Sequence, residues 1–347
     1  MKTSIGIIPI FISHLGCKND CVFCNQRKIT GVTEVMSMRE VTNHIERYLE
    51  TMEFDRIEIA FYGGSFTGLD LNLQREYLEI AKRYKDSGRI HKIRLSTRPD
   101  YITVEVLELL KSYGVDLVEL GCQSFHDDVL LKSRRGHDRT DIFRAVSMIK
   151  SYNLSFGIQL MYGLPGDHAI KFLESVEETI SLKPDCVRIY PALVIKETEL
   201  ADLTLRGHYV PVQLEDAVAV VAEAYKRFTV NDIPVIRLGL QKTDLIELGA
   251  DVIAGPFHPA FGALVMSFLF FDALSRFIEQ YGQDGELKIL VNTSQASFVS
   301  GQGKINLKRL SALYGDLKFN ILADESIPIH TIQVISENTT HTIDVMR

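Results

Sequence analysis

Apolar runs rich in β-branched residues alternate with amphipathic helical patterns along the first two thirds of the chain. The runs have the length of β-strands, and the segments between them follow the 3.6-residue period of amphipathic α-helices. The predicted strands span residues 5–12, 56–62, 92–96, 117–121, 155–161, 186–190 and 235–238. The predicted helices between them span residues 38–51, 73–85, 104–113, 139–151, 169–181 and 214–228.

This order of strands and helices predicts a parallel sheet. Near-continuous apolar strands that are each followed by a helix are typical of βα units whose strands are buried on both faces. Six or more such units in series predict a barrel or a doubly wound sheet. In both architectures ligands bind at the carboxyl ends of the strands, so we expect the functional residues just after each strand.

The last part of the chain has a different pattern. A strand at 287–291, a short helix at 294–298, a glycine loop at 301–304, a helix at 305–314 and a strand at 317–322 follow one another. This order resembles the KH module, whose glycine loop clamps a nucleic-acid backbone. The loop reads G-x-G-K rather than G-x-x-G, and residues 284–347 hold seven acidic and six basic side chains. A structural cap and an RNA-binding module, with Lys304 beside the loop, therefore both remain open.

Composition limits the class of protein. With 347 residues the chain is long enough for one large α/β barrel and a small second domain. A net charge of −7 argues against a surface that coats nucleic acid, although a local basic site is compatible with it. Five cysteines are too few for a disulfide scaffold, and we expect a reducing, cytoplasmic location. The longest apolar stretch, 263–271, is shorter than the ~20 residues that span a bilayer, so no membrane association is expected.

Three of the five cysteines, Cys17, Cys21 and Cys24, lie within eight residues. Thiolates are soft ligands that suit zinc and iron–sulfur clusters. A structural zinc site would need a fourth ligand, usually from a second Cys/His pair, and only His14 lies nearby. Iron–sulfur cubanes are usually held by four cysteines, so three would leave one iron open for chemistry. The loop favours such a cluster over zinc or unrelated thiols.

This C-x3-C-x2-C loop, with Phe23 before the last cysteine, resembles the signature of the radical SAM enzymes. The resemblance implies a [4Fe-4S] cluster on Cys17, Cys21 and Cys24, whose open iron binds S-adenosyl-L-methionine (SAM). Electron transfer would cleave SAM to methionine and a 5′-deoxyadenosyl radical. The resemblance also implies an α/β fold, a partial (βα)6-type barrel followed by a small C-terminal α/β (KH-like) domain. We expect the barrel at 1–255, a bridging segment and helix at 256–282, and the C-terminal domain at 283–347.

Motifs at successive strand ends add to this resemblance. The segments G-G-S, T-R-P-D-Y, G-C-Q-S, R-R-G-H and G-L-P-G occur in this order. They are similar to two branches of the superfamily, the catalytic subunit of Elongator and the oxygen-independent coproporphyrinogen oxidases. The implied SAM contacts are Gly63, Gly64 and Ser65 for the amino group, Gln123 for the ribose, Arg135 for the carboxylate, and Gly163, Leu164, Pro165, Gln159 and Tyr190 around the adenine. Ser96 stands where both branches usually carry a glutamate, which puts ribose recognition from that strand in doubt.

The segment 250–266 holds further candidate residues. A Gly-Pro turn precedes Phe257 and His258, and a second proline lies between His258 and Phe261. This segment is either a packed linker or part of a substrate pocket. In the second case His258 would act with Arg237 and Gln241 as a polar partner of the substrate. Cys122 and Cys186 are predicted to be small apolar core residues rather than ligands.

The resemblance covers residues 5–240 and implies a radical SAM enzyme that abstracts hydrogen from tRNA or another RNA. It also implies a reductant such as ferredoxin or flavodoxin. We expect no acetyltransferase domain, because the chain leaves no room for one. Two alternatives remain: radical chemistry on a small molecule such as a porphyrin-like carboxylate, or a non-catalytic iron–sulfur or SAM-binding sensor. Production of 5′-deoxyadenosine would separate the enzyme hypotheses from the sensor.

Overall fold

The structure, a computed structural model, describes residues 4–12, 15–25, 29, 36–240, 247–282, 285–315, 317–336 and 339–347. The chain divides into two compact units. The first comprises Met1–Gln213 with Ile233–Pro259, and the second comprises Leu214–Asp232 with Ala260–Arg347. The domain boundaries expected at residues 255 and 282 stay a prediction.

The first unit contains a seven-stranded parallel sheet, in the order β1-β2-β3-β4-β5-β6-β8, which curls into a half-barrel. Its strands are β1 (Ile5–Phe11), β2 (Arg56–Tyr62), β3 (Lys92–Thr97), β4 (Leu117–Gln123), β5 (Ser155–Tyr162), β6 (Cys186–Pro191) and β8 (Val235–Leu238). Its helices are α1 (Met38–Thr51), α2 (Leu71–Asp86), α3 (Val104–Ser112), α4 (Asp127–Lys132), α5 (Arg139–Ser151), α6 (Ala169–Leu182) and α7 (Glu199–Leu205). A short antiparallel pair, β7 (Val194–Ile195) with β9 (Val252–Ala254), completes the unit. The partial barrel is confirmed.

The strands of this sheet have one apolar face and one polar face. Ile8, Ile59, Leu120 and Ile158 are almost fully buried, whereas Glu119, next to Leu120 in β4, is buried on the opposite face. Successive side chains of a strand point to opposite sides of the sheet, so the polar residues share the inner face of the half-barrel. The inner face is therefore largely buried, as predicted, but it carries polar side chains that the near-continuous apolar pattern did not indicate.

Local sequence places the loops at the carboxyl ends of the strands. Helix α5 begins directly after the basic loop because Asp138 and Asp141 form a capping box across its first turn. In β4 the register with β5 shifts between Gly121 and Gln123, and Gln123 has a φ of +70°. This irregularity lies at the carboxyl end of β4, where the motif residues are concentrated.

The second unit combines helices α8 (Leu214–Val230), α9 (Phe261–Tyr281), α10 (Ala296–Ser300) and α11 (Ile305–Tyr314) with a four-stranded sheet. The strands β10 (Glu286–Val291), β11 (Lys318–Ala323), β12 (Thr331–Ser336) and β13 (Thr339–Asp344) lie in the order β11-β10-β12-β13. The predicted succession of strand, helix, glycine loop, helix and strand is confirmed, but the hairpin of β12 and β13 was not predicted. Likeness to a KH module stays a prediction.

Helix α9 is the one helix in the described part of the chain that is long and apolar enough to cross a membrane by length and composition. However, 56% of that stretch is buried inside the protein. Core helices of globular domains meet the same two criteria, and the buried side chains of α9 include Val265, Leu269 and Phe270. Burial of this kind favours a core helix.

Candidate functional site

The loops that follow β1 and β2 are packed together through their backbones. The Ser65 N–H donates to the Leu15 carbonyl at 3.1 Å. Gly16 has a φ of +72°, and a Cβ there would lie 2.1 Å from the Ser65 oxygen. A Cβ on Gly64 would lie 2.6 Å from the Leu15 oxygen. Only glycine allows so close an approach at both positions, so the cysteine loop rests directly on Gly63–Ser65.

The three loop cysteines have different surroundings. The Cys17 Sγ lies 3.2 Å from the Ser65 Oγ, and the Cys21 Sγ accepts a hydrogen bond from Arg135 Nη1 at 3.1 Å. The Cys24 N–H donates to the Cys21 carbonyl at 3.0 Å, which makes a tight turn between these two residues. Within the described ranges, no three His, Cys, Asp or Glu side chains are grouped as metal ligands. The thiols thus share one loop and would have to turn toward a common centre to bind a cluster.

An apolar cluster holds the second half of this loop. Val22 and Phe23 are buried against Leu164 and Met161, and Tyr190 packs against the same cluster. The Val22 backbone also forms two hydrogen bonds. Its N–H donates to the Ser133 carbonyl at 3.2 Å, and its carbonyl accepts from the Leu200 N–H at 2.7 Å. The cysteine loop is therefore anchored to the strand ends that carry the G-L-P-G turn and Tyr190.

Arg135 lies between the cysteine loop and β4. Besides its bond to Cys21, its Nη2 donates to the Gly121 carbonyl at 2.5 Å. The side chain is buried, and in the part of the chain that the structure describes its Nε has no hydrogen-bond partner. A buried guanidinium with an unused donor beside a thiol is suited to bind a carboxylate.

A second buried arginine lies on the neighbouring strand end. Arg98 makes a bidentate contact with Asp100, at 2.9 and 3.0 Å, and its Nη1 has no partner among the described residues. Burial would lower the pKa of Arg98, but Asp100 raises it above the ordinary value. His137 is buried nearby, and burial together with Arg135 and Arg98 lowers the pKa of His137 to about 2, so it is neutral. Arg98 is therefore a second fixed positive charge near the cysteine loop.

Gln123 and Gln159 meet on the inner face of the sheet. The Gln159 Nε2 donates to the Gln123 Oε1 at 3.2 Å. Ser96, on β3, points to the same face by strand alternation. The structure thus brings the residues predicted for the ribose and adenine to the carboxyl-end half of the half-barrel, between Arg135 on one side and the G-L-P-G turn on the other.

The G-L-P-G turn is held by two side chains that were not predicted. Gly163 has a φ of +86°; its N–H donates to Asp167 Oδ2 at 2.9 Å, and its carbonyl accepts from the Tyr209 hydroxyl at 2.5 Å. The Asp167 N–H donates to the Leu164 carbonyl at 2.8 Å. Burial raises the pKa of Asp167 to about 6. No short motif marks Tyr209, which lies 46 residues from Gly163 in sequence.

A network of charged side chains lies deeper on the inner face. Glu119 accepts hydrogen bonds from Arg94 Nε at 2.9 Å and from Arg188 Nε, and Arg94 Nη1 also donates to Glu58 at 3.0 Å. Arg188 Nη2 donates to the Tyr62 hydroxyl at 2.7 Å. We call Glu58, Arg94, Glu119, Arg188 and Tyr62 the inner-face network. Its signal in the sequence was an isolated charged residue in the middle of each of four otherwise apolar strands, Glu58 in β2, Arg94 in β3, Glu119 in β4 and Arg188 in β6.

The candidate substrate residues are found in different places. Arg237 on β8 is half-buried, pairs in register with Arg188, and donates from Nε to the Gly239 carbonyl at 2.9 Å. Phe257 is buried in a small apolar cluster with Leu193 and Val252, and His258 next to it is half-buried. Gln241 lies outside the described residues. Lys304 belongs to the second unit, where it is exposed at the start of α11.

Cys122 and Cys186 are both buried, as predicted for core residues. Burial raises the pKa of Cys186 to about 12 and that of Cys122 further, so both stay protonated thiols. Neither shares the exposure of the loop cysteines.

Comparison with known families matches most of this first unit. A family model described as the radical SAM superfamily matches residues 11–179, and a second, the Radical_SAM C-terminal domain, matches residues 184–269. The fold of this chain is similar to that of Elp3 from the archaeon Methanocaldococcus infernus, solved with residues 1–46 deleted. The TM-score is 0.60 at 21% identity. The similarity covers 82% of this chain and 65% of that one, and it supports the fold.

Curated relatives carry several functional names. The tRNA uridine(34) acetyltransferase of Methanocaldococcus jannaschii is 27% identical over 298 residues, which are 71% of this chain and 55% of the relative. The heme chaperone HemW of Bacillus subtilis is 27% identical over 226 residues, 62% of this chain and 57% of the relative. Elongator complex protein 3 of Homo sapiens is 26% identical over 246 residues, 59% of this chain and 45% of the relative. The chain spans about half the length of the curated relatives it matches.

Proposed function

Since the chain belongs to the radical SAM superfamily of enzymes, we propose that it binds a [4Fe-4S] cluster and SAM at the carboxyl end of its half-barrel and acts on tRNA or another RNA. When bound, the cluster and SAM would together supply a reductive cleavage that gives a 5′-deoxyadenosyl radical able to abstract hydrogen. A reductant such as ferredoxin or flavodoxin would deliver the electron. A cytoplasmic location, where such reductants are found, is part of the same proposal.

The observation that carries this proposal is the convergence of three features on one strand-end surface. The cysteine loop rests on Gly64 and Ser65, Arg135 contacts the Cys21 thiol, and the apolar cluster joins Phe23 to Leu164. Thiols supply the soft ligands that iron prefers in such clusters. The residues present therefore fit the group, with Cys17, Cys21 and Cys24 as its ligands.

The protein's own side chains would bind and orient the nucleotide. Arg135 has an unused buried donor for a carboxylate, and the backbone of Gly63, Gly64 and Ser65 would receive the amino group. Gln123 and Gln159, which bond to each other, offer amide groups to the ribose and adenine. Packing of Phe23 and Leu164 would keep water from this surface.

The proposal of an RNA substrate rests on the relatives. Two of them are named as a tRNA uridine(34) acetyltransferase and as a component of Elongator, and they match 71% and 59% of this chain. The glycine loop with Lys304 in the second unit is a candidate contact to phosphate. A heme-related role is the second candidate, because a heme chaperone matches 62% of the chain at the same identity.

The test is an anaerobic assay of the reconstituted protein for 5′-deoxyadenosine. Four reactions with SAM and dithionite would contain no substrate, bulk tRNA, bulk tRNA with acetyl-CoA, or a porphyrin mixture. We expect tRNA to raise the rate of deoxyadenosine formation above the reaction without substrate. The reaction with acetyl-CoA tests whether this chain has the tRNA acetyltransferase activity for which the archaeal relative is named.

Two results would contradict the proposal in different ways. Stimulation by porphyrin and not by tRNA would overturn the RNA substrate and favour the small-molecule hypothesis. No deoxyadenosine in any reaction, from protein with an intact cluster, would favour the non-catalytic sensor. The matched control is Cys24→Ala, which should give no deoxyadenosine in any of the four reactions.

A further inference from the structure

Both backbone hydrogen-bonding groups of Gly163 are already engaged within the protein. Its N–H is bound by Asp167 and its carbonyl by the Tyr209 hydroxyl. The Gly163 N–H is therefore not available to a ligand, and its carbonyl is already held by Tyr209, although the turn as a whole was expected to present such groups. Its positive φ and the Val212 side chain, 2.8 Å from where a Cβ would lie, leave no other residue that fits.

Some of the other backbone groups of the turn are hydrogen-bonded within the protein, and others are not. The Leu164 carbonyl accepts from the Asp167 N–H, and the Gly166 carbonyl accepts from Lys171 Nζ at 3.2 Å. In the described residues no protein group bonds to the Leu164 N–H or to the Pro165 carbonyl. One N–H donor and one carbonyl acceptor in adjacent residues match the acceptor and amino donor that adenine presents along one edge.

We propose that Asp167 and Tyr209 are positioning residues that clamp Gly163 from both sides, so that the Leu164 N–H and the Pro165 carbonyl receive the adenine of bound SAM. This inference rests on the proposed function. The Leu164 side chain supports it from a third direction, because it is 1% exposed and packs in the same apolar cluster as Phe23. The turn is thus fixed relative to the cysteine loop before any ligand binds.

The clamp needs a hydrogen-bond acceptor at position 167 but not a negative charge. Burial raises the pKa of Asp167 to about 6, so this environment stabilises the negative charge less well than water does. Asparagine keeps an oxygen of the same shape that can accept from Gly163, whereas alanine leaves that buried N–H without a partner. Removing an acceptor in this way costs about 1–3 kcal/mol, which is roughly a factor of 5 to 150 in an equilibrium constant.

The experiment measures binding of SAM and of its hypoxanthine analogue, S-inosylmethionine, to cluster-loaded protein by anaerobic calorimetry. We expect Asp167→Ala and Tyr209→Phe to raise the Kd for SAM by about tenfold and to reduce the preference for adenine over hypoxanthine. Asp167→Asn should restore SAM binding to within about threefold of the natural protein. Asp86→Asn is the matched control, since it makes the same chemical change at an exposed carboxylate that pairs with Lys82 and does not contact the turn.

Unchanged SAM affinity and unchanged base preference in Tyr209→Phe would overturn the clamp. So would an Asp167→Asn variant that binds as poorly as Asp167→Ala, because the charge and not the acceptor would then be required. Tyr209→Phe removes a single hydroxyl and carries the test if Asp167→Ala does not fold. If the natural protein itself binds no SAM, the proposed function fails; if it binds and the variants match it, only the clamp fails.

Discussion

The substitution Glu119→Gln removes the negative charge of Glu119 and is the strongest test of the inner-face network. The Glu119 side chain is 3% exposed and accepts hydrogen bonds from both Arg94 and Arg188. In Glu119→Gln the network would keep one carboxylate, that of Glu58, which contacts Arg94 and leaves Arg188 without a carboxylate partner in the network. Removing one partner of a buried ion pair costs about 3–5 kcal/mol, because the remaining charge stays desolvated. We expect a loss of this size in the free energy of unfolding.

The matched control is Glu46→Gln on the surface. Glu46 makes a comparable bidentate contact with Arg89, but the two side chains are 39% and 45% exposed. Exposed pairs contribute about 0–1 kcal/mol, since water screens both charges. Urea unfolding followed by circular dichroism would measure both variants, together with Glu119→Gln/Arg188→Gln. The double variant should be less destabilised than the sum of the two single variants, because it leaves fewer unpaired charges.

A Glu119→Gln variant that unfolds within about 1 kcal/mol of Glu46→Gln would refute this reasoning. It would mean that water reaches the inner face and solvates the arginines. Strict additivity in the double variant would refute it as well. The pKa of Arg188 would be lowered by burial alone, but Tyr190 and Glu119 raise it above the ordinary value, so we expect the same result at neutral and alkaline pH.

Three further predictions concern the candidate site. Alanine at any one of the three loop cysteines should abolish the visible absorbance of the cluster, whereas Cys186→Ala should retain it; a cluster that persists in Cys21→Ala would undo the ligand assignment. Burial raises the pKa of Asp167 from 3.8 to about 6, so the native state holds this proton more tightly and its contribution to stability is lost as pH rises through 6. The natural protein should therefore gain on the order of 1 kcal/mol relative to Asp167→Asn between pH 7.5 and pH 5 in urea unfolding of the cluster-free form, and an equal pH dependence of the two would contradict the shift. Gly64→Ala places a Cβ 2.6 Å from the Ile12 carbonyl oxygen and should lower the iron content after reconstitution, and a full iron content would show that the two loops can separate.

Much of the first unit could be predicted because its strands and helices differ in period. Every strand of the parallel sheet was predicted to within two residues, and the bounds of α1 and α5 are those that the pattern gave. The short helices α4 and α7 were not predicted, since six or seven residues are too few to establish a helical period. The strands were also interpreted as apolar runs, which concealed the alternation that places Arg94 and Arg188 on the inner face.

The site was predictable where adjacent residues share one function and not where the fold brings distant residues together. The glycines after β2 stand next to the strand end that they serve, and the basic loop with Arg135 forms one short run after α4, so their motifs identify them. Tyr209 gives no such signal, because its partner Gly163 is recognised only when the chain has folded. Asp167 lies one residue beyond the G-L-P-G turn, yet its role depends on burial, which the motif does not reveal.

The most direct test of the central claim is electron paramagnetic resonance of the reduced, anaerobically reconstituted protein, with iron and sulfide determined on the same sample. The account predicts a [4Fe-4S] cluster in each chain whose signal changes on addition of SAM, since one iron is left open by the three loop cysteines. Protein that retains zinc, or a cluster whose signal is the same with and without SAM, would contradict it.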